Sequence, residues 1–218
     1  MTIFTLPYGL LSEWMCLVAS ILLLKKVIPK FWRTFIPYLT VIVATETLCF
    51  TMRVLSFSEN NHTFYNGSLI VMILFYLYVF NKILKLPSMV GYVSLIILSC
   101  IYTIEGFYIN FAAFLSLTNS IFHGFVVILC IIYYFKLFKQ DEYQNILILP
   151  EFWFVTGCFI FSGTATGLNA FFDVLSELSE QYRISFRYII INILSVIMYS
   201  CWIKSFLCLK KNQVYSPR

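Results

Sequence analysis

The chain has 218 residues, of which 61% are hydrophobic, 19% aromatic and only 11% charged, with a mean hydropathy of +0.86. Soluble domains carry about 25% charged residues to keep their surfaces wet, so a soluble globular enzyme, a disordered chain and a disulfide scaffold are excluded. An integral membrane protein remains, and its net charge of +5 calls for no nucleic acid, because no basic stripe with interleaved aromatics stands clear of the apolar segments.

A helix crossing the hydrocarbon core needs about 20 mostly apolar residues. Seven segments meet that length, which predicts an all-α bundle of seven transmembrane helices forming a single domain over 1–218. The first, 6–24, carries Glu13 in its outer half. Lys25 is the first lysine and follows this run, so a retained helix is expected rather than a cleaved signal peptide. The second, 34–57, holds Glu46 near its middle and Arg53 seven positions on, two turns along the same face. The third, 64–80, follows Asn61-His62-Thr63 and contains Asn66-Gly67-Ser68, both matching the glycosylation pattern on a predicted outer loop.

The fourth segment, 87–104, is capped at its outer end by Glu105, and the fifth, 111–135, places His123 near its middle with Asn119 one turn earlier. The sixth, 150–172, contains Gly163 and Gly167, a small-xxx-small pair that lets helices approach closely, inside the bundle or at a homodimer seam. The stretch 173–183 reads as an outer loop with an acidic surface from Asp173, Glu177 and Glu180. The seventh, 184–209, carries Arg187 one turn inside its outer end and then Asn192. Membrane strands are unlike this pattern, because the segments are too long and too uniformly apolar to alternate, and backbone groups in lipid must bond within the segment.

Orientation follows from the basic residues. Twelve of the 15 lie on one predicted side: Lys25, Lys26, Lys30, Arg33, Lys82, Lys85, Lys136, Lys139, Lys204, Lys210, Lys211 and Arg218. Arg53, Arg183 and Arg187 lie on the other. Basic residues accumulate on cytoplasmic loops, so the N-terminus is expected outside and the C-terminus in the cytoplasm. The predicted loops and tail are short, so any cytoplasmic output is expected to pass through the bundle or a separate partner. The interval from Lys26 to Pro37 repeats from Lys139 to Pro150, as an inverted repeat of helices or a coincidence would both produce.

Ionisable groups inside a membrane are costly, about +2.5 to +3.5 kcal/mol for a central Asp, Lys or Arg. Glu13, Glu46, Arg53, Asn119, His123, Arg187 and Asn192 are therefore the candidate ligand-binding or proton-relay residues. Most fall in the outer half, which points to an outward-opening polar pocket with Glu46 and His123 deepest. The structural alternative pairs Glu46 with Arg53 and satisfies His123 on a backbone carbonyl; near the interface, Glu105, Arg183 and Arg187 read as snorkelling or loop-paired residues.

Catalytic and metal signatures are missing. The sequence has no HExxH, Walker A loop, GxSxG or GxGxxG, and only two histidines, His62 and His123. Lys204 lies too near the cytoplasmic end for a retinal Schiff base. Cys16, Cys49, Cys100, Cys130, Cys158, Cys201 and Cys208 are scattered without a CxxC and read as small hydrophobes. Neither a cofactor nor a metal is expected, and no nucleophile has a base beside it.

The run Asn60-Asn61-His62-Thr63-Phe64-Tyr65, with Pro150-Glu151-Phe152-Trp153 and Phe161-Ser162-Gly163, resembles small seven-helix integral membrane proteins of Bacteroidetes-type bacteria. In that group a carboxylate often follows the Asn-rich opening, where this chain has Ser68 and Leu69. The resemblance implies a bacterial inner membrane and a cytoplasmic signalling kinase as partner; it supplies no activity and no site residues. Two functions are expected in turn: a sensory or accessory subunit, or a small-molecule or ion transporter or channel with a midplane site.

Overall fold

A computed structural model describes residues 8–25, 29–55, 61–109, 111, 113–139, 145–182 and 185–215. Among the described residues the chain is all-α. The helices are α1 (Tyr8–Leu24), α2 (Phe35–Val54), α3 (His62–Leu84), α4 (Ser88–Tyr108), α5 (Ser116–Phe138), α6 (Pro150–Ala170), α7 (Phe172–Tyr182) and α8 (Phe186–Tyr215), with 3-10 turns at Lys30–Thr34 and Ile146–Ile148. Prolines sit where a missing N–H costs nothing: Pro37 in the first turn of α2, Pro87 just before α4 and Pro150 at the start of α6. Lys85 ends α3 in the left-handed conformation, φ 49°, and the Lys136 ammonium donates to the Leu84 carbonyl at 2.8 Å.

Two boundaries differ from expectation. α5 begins at Ser116, five residues later than the predicted 111, because Phe111 takes a positive φ of 53° and donates its N–H to the Gly106 carbonyl at 2.9 Å. The predicted acidic loop is largely helical instead. In α7, Leu175, Leu178 and Tyr182 recur at helical spacing between polar residues, a pattern that its polar composition hid. Of Asp173, Glu177 and Glu180, Glu177 is exposed and the side chains of the other two lie outside what the structure describes, as does Arg183.

Five helical stretches are long and apolar enough to cross a membrane: Lys30–Val54, His62–Leu84, Met89–Tyr108, Ser116–Phe138 and Phe186–Asn212. This is a multi-pass membrane architecture. α1 is apolar but has 17 residues, about 26 Å at 1.5 Å per residue. α6 has 21 residues but dilutes its apolar run with Thr156, Ser162, Thr164, Thr166 and Asn169.

Bonds between helices fix their directions. Gly9 bonds Asn192 and Glu13 bonds Tyr199, in the same order along both helices, so α1 and α8 run parallel. Asn66 bonds Leu115 and Lys136 bonds Leu84, so α3 and α5 are parallel too. Asn169 bonds Arg187 while Pro150 bonds Ser205, so α6 opposes α8. Chain direction thus alternates through α1, α2, α3, α4, α5, α6 and α8. One end of the bundle, the lysine end, gathers Lys30, Lys82, Lys85, Lys136, Lys139, Lys204 and Lys210. The opposite end holds Arg53 and Arg187.

An aromatic core fills the lysine half. Phe35 makes edge-to-face contacts with Phe75, Phe154, Trp202 and Phe206 at centroid distances of 4.9, 5.3, 5.3 and 5.2 Å. The Tyr38 ring stacks on Phe75 at 3.7 Å. Lipid gives helices no hydrophobic reason to associate, so such packing, about 0.5–1.5 kcal/mol per aromatic pair, does much of the joining. α4 instead lies at the edge against α3 and α5, exposing Met89, Tyr92, Ile96, Ile104 and Phe107.

The glycine that closes the bundle is not in the predicted pair. A Cβ on Gly157 would stand 3.0 Å from Cys201 Cβ and 3.1 Å from the Met198 carbonyl oxygen, so α6 and α8 touch there. A Cβ on Gly163 would meet only Val127 Cγ2 at 4.0 Å, and one on Gly167 nothing within 4 Å. Gly163 and Gly167 therefore do not provide the close approach inside the bundle. All seven cysteines are free, and five of them are buried: Cys16, Cys49, Cys130, Cys158 and Cys208.

Candidate functional site

The half of the bundle away from the lysines contains two adjoining cavities. The first, about 220 Å³, is lined by Glu46, Tyr65, Asn119, His123, Asn169 and Arg187 among others. The second, about 300 Å³, is lined by Gly9, Glu13, Glu46, Arg53, Tyr65, Asn192 and Ser195 among others. Glu46, Tyr65 and Ile191 belong to both walls. All seven polar residues selected from the sequence therefore face one of two neighbouring spaces, with Glu46 between them. Four helices supply them, α1, α2, α5 and the start of α8, while Tyr65 of α3 and Asn169 of α6 complete the walls.

Glu46 is half-buried, and Tyr65 donates its hydroxyl to Glu46 Oε2 at 3.2 Å. Glu13 is 8% exposed. Its Oε1 accepts from the Tyr199 hydroxyl at 3.3 Å, whereas its Oε2 is buried with no hydrogen-bond partner. A buried polar group left without a partner costs about 1–3 kcal/mol, so Glu13 is held against its own preference beside the second cavity. Arg53 is exposed and faces that same space.

His123 is buried, but its contact is not a backbone carbonyl: Nδ1 lies 3.2 Å from Ser162 Oγ. The ring is flanked by Phe122 and Phe161 at 5.4 and 5.7 Å. A serine at hydrogen-bond distance from a histidine is the minimum of an activated nucleophile. Ser162, however, is 1% exposed and lines neither of these two cavities. The pair holds α5 to α6.

A polar relay runs along the rim of the first cavity. Arg187 donates to Asn169 Oδ1 at 3.0 Å, and Asn169 Nδ2 donates to Ser120 Oγ at 2.8 Å, linking α8, α6 and α5. Asn192 accepts from the Gly9 N–H at 3.0 Å and donates to the Tyr188 carbonyl at 2.8 Å. Arg187 is thus engaged within the bundle. Glu105 is engaged too: it accepts from the Leu117 and Thr118 amides at 2.9 and 2.7 Å and caps the N-terminus of α5.

The sequence reading missed Tyr65, Tyr199, Asn169 and Ser162. Nothing in the sequence sets Tyr65 and Tyr199 apart from the chain's other tyrosines, and only their partners, Glu46 and Glu13, mark them as part of the site. The two glycosylation patterns are corrected. Asn61 and Asn66 are 6% and 2% exposed, and their amides donate to the Cys49 and Ala113 carbonyls at 3.1 and 3.0 Å. Among the described residues no group of three His, Cys, Asp or Glu side chains could hold a metal ion. Comparison with family models, curated proteins and solved structures finds no match to this chain.

Proposed function

We propose that the chain is a seven-span bacterial inner-membrane subunit that binds a small polar ligand in the twin cavities and passes the resulting helix shift to a separate cytoplasmic partner. The spans in this reading are α1 to α6 and α8, with the N-terminus outside. The alternation of helix direction and the gathering of lysines at one end support that topology. The single observation that carries the binding role is the position of Glu46. It stands in the wall of both cavities, where a ligand would press at once on α1, α2, α3, α5 and α8. The aromatic core beyond closes the lysine half, which suits a receptor that moves helices rather than passing its ligand through.

Two measurements test this reading. Reporter fusions at residues 1 and 218 should report opposite compartments, and the same compartment would end it. The tagged chain, drawn from host membranes in mild detergent, should bring a signalling kinase in stoichiometric amount; a protein pure of partners under crosslinking counts against it.

The second reading, a transporter or channel, is favoured by Glu46 and His123 facing one space that adjoins another. Proteoliposome flux lost in Glu46→Gln and His123→Ala would support it, and unchanged flux would remove it. An enzymatic role has no support from the buried Ser162–His123 pair.

A further inference from the structure

A cavity larger than either of the twin cavities lies at the other end of the bundle. It is about 660 Å³ and is bounded by the 3-10 turn before α2, the C-terminal ends of α3 and α5, and the start of α6. Among the described residues, Lys82, Lys85 and Lys136 line it together with one carboxylate, Glu151. The rest of the wall is largely apolar, with Phe31, Ile83, Leu84, Leu137 and Leu149.

This charge is arranged rather than scattered. Lys85 is held at φ 49° by the end of α3, so its backbone turns there. Lys136 is anchored on the Leu84 carbonyl at 2.8 Å, and Lys82 lies 5.7 Å from the centre of the Tyr78 ring. Three lysines from the ends of two helices thus border one cavity whose remaining wall is largely apolar. An anion alone would use the lysines and leave the apolar wall idle. An amphiphile uses both, and a phosphate joined to acyl chains is the amphiphile that a bilayer supplies at this depth.

We propose that this cavity is a binding site for the phosphate headgroup of an anionic phospholipid. Lys82, Lys85 and Lys136 hold the phosphate, and the apolar wall holds the glycerol and the first part of an acyl chain. The site is independent of the twin cavities and of any ligand bound there.

The test uses the full chain in nanodiscs of phosphatidylcholine containing a minority of phosphatidylglycerol, with retained lipids identified by native mass spectrometry. The parent protein should retain phosphatidylglycerol over phosphatidylcholine. Lys82→Gln should reduce that retention roughly fivefold and Lys82→Gln with Lys85→Asn more, since a lysine near an anionic surface contributes about that factor. Asn is chosen at position 85 because it tolerates a positive φ. Lys82→Arg should restore retention, and Lys210→Gln, on α8 away from the cavity, should leave it unchanged. Equal retention in the double variant, or an equal loss in Lys210→Gln, would overturn the proposal. Inorganic phosphate should not displace the lipid; phosphate bound with the same lysine dependence and no lipid preference would make this a soluble-anion site and overturn the lipid assignment.

Discussion

The Tyr199 hydroxyl donates to Glu13 Oε1 at 3.3 Å, tying α8 to α1 across 186 positions of sequence. Among the described residues nothing else bonds that carboxyl group, and its Oε2 is buried without a partner. The same acid is therefore both one of the fastenings between α1 and α8, beside the Gly9–Asn192 bond, and a poorly satisfied group beside a cavity.

Tyr199→Phe should lower stability by about 1–3 kcal/mol, since it leaves a second carboxyl oxygen unbonded. Adding Glu13→Leu to that variant should recover much of the loss, because the buried acid and its hydroxyl then disappear together. Thermal unfolding in detergent micelles reads both. A double variant weaker than Tyr199→Phe would show that the carboxyl group is satisfied in another way.

Glu105 should act as the cap of α5. Replacing it with Ala removes the acceptor of the Leu117 and Thr118 amides, at a cost of about 1–2 kcal/mol. Hydrogen exchange should quicken at those two amides and stay unchanged in α8. Uniform quickening along the chain would point to global destabilisation instead.

Glycine substitutions should separate two faces of α6. Gly157→Ala forces a Cβ against the Met198 carbonyl and should cost about 1–3 kcal/mol, the usual range for overpacking. Gly163→Ala and Gly167→Ala should be neutral, or gain up to about 1 kcal/mol from helix propensity. If a second copy packs on that open face, Gly163→Leu lowers the crosslinked dimer fraction while leaving the unfolding midpoint in place.

Asn66 should prove structural and unmodified. Its amide oxygen accepts from Leu115 N–H at 3.1 Å and its nitrogen donates to the Ala113 carbonyl. Asn66→Ala should cost about 1–3 kcal/mol. The parent chain, expressed in a glycosylating host, should show no change in mobility after glycosidase treatment.

Much of the site was legible because lipid penalises polarity so heavily. Glu13, Glu46, His123 and Asn192 stand out in runs of Leu, Ile and Phe, and each proves to face a cavity. What could not be read was the partner of each. Tyr65 and Tyr199 look like any interfacial tyrosine until the fold brings them to Glu46 and Glu13. The Gly163 and Gly167 spacing was legible, but a small-xxx-small pair marks a face without saying what meets it. The 173–183 stretch failed for a related reason: a short amphipathic helix has a loop's composition, and only its period distinguishes the two.

Sequence alone determined that this chain is all-α, lives in a membrane and carries most of its basic residues at one end. Those properties follow from the cost of unpaired backbone and charge in lipid, a cost each segment bears by itself. Only the tertiary structure decided that α1 packs beside α8, that Gly157 brings α6 against α8, and that Glu46 stands between two cavities. Those relationships depend on which faces meet across distant parts of the chain, and a uniformly apolar helix carries little record of its neighbours because every side of it is equally content in lipid.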